Sequence, residues 1–130
     1  MKAKCVKTNY LLLLWLLGIS PVAAQSFTGR TVLGEQHARQ QVLSIVRKAP
    51  VKAFAKLLLP TKAVAIAVAE PVLFNIYGKQ QIVQERPYEA YLINGYWYIS
   101  GTLPEEYEGG TFEIIIEANN GRVVHLIHDK

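Results

Sequence analysis

The chain has 130 residues, 51% of them apolar, a formal charge of +4 and one cysteine, Cys5. That length suits a single domain, and with the only thiol so near the start the remainder can form no disulfide and no cysteine metal site. Three of the lysines, Lys2, Lys4 and Lys7, stand just ahead of an apolar run from Tyr10 to Leu17, so the basic balance is largely local and does not argue for nucleic acid as a partner.

Cationic start, apolar run and the small residues Val22-Ala23-Ala24 form the pattern of a secretory signal peptide over residues 1–24, with cleavage between Ala24 and Gln25. The apolar run is eight residues, against the roughly twenty that a membrane span needs. No cysteine follows it to carry a lipid. The expectation is a periplasmic protein, free of the membrane after cleavage, with a single domain over residues 25–130. Cleavage leaves eleven basic and ten acidic side chains, divided unevenly: residues 25–69 carry a balance of +6 and residues 70–130 a balance of −5.

In chain order, Ala38, Val42, Ile45 and Val46 recur at helical spacing, and Pro50 ends that helix. Val51, Phe54, Ala55 and Leu58 offer a further short apolar face. From Thr61, a candidate N-cap, the stripe Val64, Ala65, Val68, Val72 and Ile76 runs to Gly78, with a kink or early stop expected near Ala69 because Pro71 removes a backbone donor. Gln80–Glu85 reads as a short strand. Tyr88–Ile93 and Tyr96–Leu103 make a hairpin about Asn94-Gly95, since a type I′ turn needs positive φ at both central residues. Thr111–Ala118 and Arg122–His128 make a second about Asn119-Asn120-Gly121.

Helices followed by about four antiparallel strands predict an α+β fold, the N-terminal helices packed on one face of a meander sheet in a cystatin-like or nuclear transport factor 2-like cone. Strand parity places Trp97, Ile99, Phe112, Ile114 and Ile116 toward the helices. The opposite face, with Tyr96, Tyr98, Glu113 and Glu117, is expected to be exposed.

Catalytic signatures are weak. His125 and His128 are three apart on a strand and face opposite ways, so with His37 they read as surface histidines, and neither a nucleophile elbow nor a phosphate loop is present. No catalytic residue, metal ligand or cofactor is assigned. The stretch Leu103-Pro104-Glu105-Glu106-Tyr107-Glu108-Gly109-Gly110 stands apart. Three carboxylates around an aromatic, in a connection too polar for a core, suit a docking surface for a basic partner. The basic residues Arg39, Arg47, Lys48, Lys52, Lys56 and Lys62 read as scattered solvent-facing groups rather than a patch.

From Ala63 onward an ordered set of features carries a resemblance: Ala69-Glu70, Ile76-Tyr77-Gly78, Ile82, Glu85-Arg86-Pro87-Tyr88, Leu92-Ile93-Asn94-Gly95 with Trp97, Gly101-Thr102-Leu103-Pro104, Gly109-Gly110, Phe112–Ile116, Asn120-Gly121 and His128-Asp129-Lys130. Together they resemble the bacterial immunity proteins with a nuclear transport factor 2-like fold that accompany polymorphic toxins such as those of Rhs elements. The resemblance implies a non-enzymatic protein of interbacterial competition that binds and neutralises a cognate toxin by non-covalent occlusion. Tyr96, Tyr98, Glu105, Glu106, Tyr107, Glu108, Glu113 and Glu117 are the expected toxin-binding residues. The competing expectation is a small-molecule-binding module, or a ketosteroid isomerase-like enzyme, using the cone interior with Glu70, Glu85 or Glu89 as its acid.

Overall fold

A computed structural model describes residues 26–46 and 56–129. The expected leader, its Ala24–Gln25 junction, Pro50 and the face formed by Val51, Phe54 and Ala55 lie outside the described residues.

Three helices precede four strands: α1 (Gly34–Ile45), α2 (Lys62–Tyr77), α3 (Lys79–Gln84), β1 (Glu89–Ile93), β2 (Tyr96–Ser100), β3 (Phe112–Glu117) and β4 (Val123–His128). The strands form one antiparallel sheet in the order β1-β2-β3-β4, so the α+β class and the meander stand as the sequence reads. Both central residues of the first turn have positive φ, 50° at Asn94 and 82° at Gly95, as the Asn-Gly pair demands.

Parity is also as expected. Trp97, Ile99, Phe112, Ile114 and Ile116 pack with Ala65, Ala69 and Leu73 of α2 and Ile82 of α3. Leu59 joins them, and its carbonyl accepts the Trp97 indole N–H at 2.8 Å. The helices, however, are divided between the two faces. Ala38 and Val42 of α1 pack on Ile93, Tyr96, Tyr98 and Ile115, so α1 covers the face expected to be exposed. The physical reason lies in β3: Ile114, Ile115 and Ile116 in succession make the strand apolar on both sides, and both sides must be covered.

Other local differences have similar causes. Gln80–Glu85 is not a strand: its residues up to Gln84 form α3 and Glu85 caps it, because one buried apolar residue, Ile82, needs no period-two face and glutamine favours a helix. Pro71 does not stop α2, which runs unbroken from Lys62 to Tyr77. Ala67 and Pro71 both lie on the exposed side, where water can take up the carbonyl freed by the missing donor. The buried stripe of α2 is Ala65, Ala69 and Leu73, whereas Val64, Val68 and Ile76 are exposed. Thr61 caps the helix as expected, its Oγ1 accepting the Val64 N–H.

Candidate functional site

The segment between β2 and β3 projects beyond the sheet as a ridge. Its base is fixed: Gly101 N–H donates to the Phe112 carbonyl at 3.1 Å, and Thr102 N–H to the Glu85 carbonyl at 2.8 Å. The stretch before α1 braces it from outside, with Thr31 N–H donating to Leu103 O at 2.9 Å and Glu105 N–H to Gly29 O at 3.1 Å. Arg30 ties the two together by donating to the carbonyls of Gln84 and Thr102. On this fixed base Glu105, Glu106, Tyr107 and Glu108 are all exposed, Tyr107 by 65%.

Two clefts flank the ridge, and both are lined by Leu103, Tyr107, Glu108, Gly109, Gly110 and Asp129. The larger, about 830 Å³, has Glu85 and His128 in its wall. Glu85 is fully buried and fully engaged: Oε2 accepts the Phe112 N–H at 3.0 Å, and Oε1 lies 2.7 Å from His128 Nε2 with the Gln81 amide also donating to it. The other His128 nitrogen lies 2.7 Å from the Asp129 carbonyl, so both ring nitrogens face oxygen atoms.

The second cleft, about 610 Å³, has His37, Glu113 and His125 in its wall. Glu113 Oε2 accepts the Tyr98 hydroxyl at 2.5 Å and lies 3.2 Å from His37 Nε2. His125 Nε2 stands 3.8 Å from Oε1, too far for a hydrogen bond. That nitrogen is buried and has no hydrogen-bond partner among the described residues.

Of the eight residues expected to bind, the structure therefore brings Glu105, Glu106, Tyr107 and Glu108 together on an exposed ridge and removes the other four from the surface. Tyr96 and Tyr98 are buried beneath α1, and Glu113 and Glu117 are 8% exposed. Glu117 is neutralised by Arg122, at 3.0 Å, rather than offered to a partner. The histidines were missed as a group. His37, His125 and His128 are half-buried, not plain surface residues, and each sits beside a buried glutamate. Their sequence signal was slight: only the parity of His125 with Ile115, and of His128 with Phe112, predicts where they point.

The carboxylates named for an enzyme are likewise committed. Glu70 accepts from the Arg86 guanidinium and the Tyr88 hydroxyl. Glu89 accepts the N–H groups of Leu33 and Gly34 at 2.8 Å each, capping α1 from the neighbouring strand. The sheet face toward α2 is filled by side chains. Among the described residues no group of three or more acidic, histidine or cysteine side chains is placed to hold a metal ion, and no helix is long and apolar enough to cross a membrane.

The tyrosines that serve these carboxylates are held as donors. Burial, reinforced by Glu89, pushes Tyr91 up to about 12. Burial also raises Tyr98, with Glu113 adding to it, and Tyr88, with Glu70 adding to it, well above the ordinary phenol range. A group whose folded value is raised contributes stability that is complete below its unfolded value, near 10, and is lost as pH rises toward the folded one. Stability is thus expected to fall steeply above pH ~10, with tyrosinate absorbance and loss of circular dichroism rising together. Ionisation of these tyrosines with the dichroism intact would contradict this.

Helices on a four-stranded antiparallel meander, with a buried carboxylate–histidine pair on each side of an exposed acidic ridge, define an α+β protein of the nuclear transport factor 2-like class. The chain belongs to the NTF2 fold immunity proteins, whose family model matches residues 64–130, from α2 to the C-terminus. Among curated relatives, the uncharacterized proteins YhhH and YbbC of Escherichia coli (strain K12) are each 35% identical to it. The YhhH match runs over 74 residues, 56% of this chain and 58% of the relative, and the YbbC match over 71 residues, 54% and 58%. The chain thus spans less than two thirds of either relative. No solved structure matches it.

Proposed function

We propose that this protein binds and neutralises a cognate bacterial toxin by non-covalent occlusion, without catalysis, and that the ridge from Glu105 to Glu108 makes the central contact. The observation that carries the reading is the exposed Tyr107 among three exposed carboxylates, on a base that hydrogen bonds hold rigid. A tyrosine supplies contact area at low entropic cost, and a cluster of carboxylates steers a basic surface toward it. The family match supports a toxin as partner. The leader pattern supports action in the periplasm, and an Rhs-type or related polymorphic toxin is the partner class to seek in the adjacent reading frame.

The test is binding to that toxin. Tyr107→Ala is expected to cost about 2 kcal/mol of affinity, mostly in dissociation. The triple reversal Glu105→Lys, Glu106→Lys and Glu108→Lys is expected to slow association by about tenfold or more at low salt and to remove most of its salt dependence. Unchanged kinetics in both would discard the ridge, and failure to rescue cells from the toxin would discard the immunity role. N-terminal sequencing of periplasmic material, expected to begin at Gln25, tests export.

A further inference from the structure

The second cleft contains an incomplete polar site. Tyr98 and His37 occupy Oε2 of Glu113, but Oε1 has no hydrogen bond among the described residues, although the residue is only 8% exposed. Beside it the buried Nε2 of His125 also lacks a partner. Folding has desolvated the His125 nitrogen without replacing the bond lost to water, and Glu113 Oε1 beside it has no hydrogen bond among the described residues, so a donor placed between them would satisfy both. The charges around them say what kind of donor. Glu108 and Asp129 also line it, and among the described residues the lining includes no lysine or arginine. The other cleft differs, since Arg30 stands in its wall and Glu85 is saturated.

We propose that the cleft floored by Glu113 is a receptor for an arginine side chain of the protein partner. A guanidinium has several N–H donors in one plane and no acceptor, and adjacent donors on its edge can reach two acceptors 3.8 Å apart, the separation of Glu113 Oε1 and His125 Nε2. In this arrangement the His125 proton sits on Nδ1. Tyr107, which also lines the cleft, supplies an aromatic ring for the cation. This goes further than the ridge: it names the chemistry of one toxin contact, and its assignment to the toxin rests on the immunity reading.

The test uses the whole protein and no toxin. Imidazole ring resonances are followed by NMR during titration with a capped Gly-Arg-Gly tripeptide, with the same tripeptide bearing citrulline, and with free arginine. The arginine tripeptide is expected to shift His125 and His37 saturably in the millimolar range and to leave His128 unmoved. Citrulline, neutral and nearly isosteric, should bind at least roughly tenfold more weakly. His125→Phe, which leaves the Tyr98 and His37 bonds to Glu113 in place, should weaken binding, and Glu113→Gln should abolish it. Absence of saturable shifts, or equal shifts with citrulline, overturns the site in the unmodified protein whether or not either variant folds. Free arginine binding at least roughly tenfold more tightly than the tripeptide would assign the site to a small molecule and overturn the protein partner. Ridge substitutions are read on toxin affinity, so the two proposals can fail separately.

Discussion

Glu85→Ala is expected to destabilise the protein by about 3 kcal/mol or more, the cost of leaving buried groups without their hydrogen-bond partner. The loss leaves the buried Phe112 N–H and the His128 ring without the carboxylate that both of them bond. A domain of this size has a total stability of about 5–15 kcal/mol, so the variant sits near the limit of folding. The same site can be attacked from the opposite side. A Cβ added at Gly101 would lie 2.2 Å from Glu85 Oε2 and 2.8 Å from Glu85 Cβ, so Gly101→Ala must displace the carboxylate from its bonds. Its expected cost is about 3 kcal/mol, at the upper end of overpacking. Because both substitutions act on one carboxylate, the double variant should cost clearly less than the two singles together. Urea unfolding of the four proteins measures this. Strict additivity, or a neutral Gly101→Ala, would show that Glu85 does not hold the ridge base.

That prediction arises from a residue the sequence exposes poorly. Glu85 lies in a polar stretch after Gln84 and reads by its sequence as the end of a strand, yet it anchors β3, β4 and the start of the ridge. Sequence patterns report local periodicity well, and the two hairpins, the Thr61 cap and the alternation of Trp97 with Tyr98 were legible for that reason. They do not report long-range polar pairing, such as His128 with Glu85, 43 positions apart. The two-sided nature of the sheet was readable in principle, since three consecutive isoleucines in β3 cannot all face one layer. Alternating tyrosines and glutamates suggested a wet surface because each is polar at its tip. Once α1 packs over them, the Tyr98 phenol and the Glu113 carboxylate satisfy one another and the rings of Tyr96 and Tyr98 serve as core. The ridge was the easiest part of the site to find, as proline, glycines and three glutamates leave that segment no place in a core.

The burial of half the expected interface changes how charge reversal must be interpreted. Glu113→Lys is expected to cost about 3–5 kcal/mol of stability, because it leaves the Tyr98 hydroxyl without its acceptor and sets an ammonium among the imidazoles of His37 and His125. The damage should begin at α1, whose polar ties to the sheet are His37 to Glu113 and the Glu89 cap, and whose buried apolar side chains are only Ala38 and Val42. Hydrogen exchange should therefore show the α1 amides losing protection first, while β2 and β3 retain theirs until global unfolding. Glu106→Lys, on the exposed ridge, should leave both stability and exchange within about 0.5 kcal/mol of the native protein. If Glu113→Lys instead left α1 protected and weakened only partner binding, Glu113 would be an interface charge after all, and α1 would have to be held to the sheet by something other than this carboxylate.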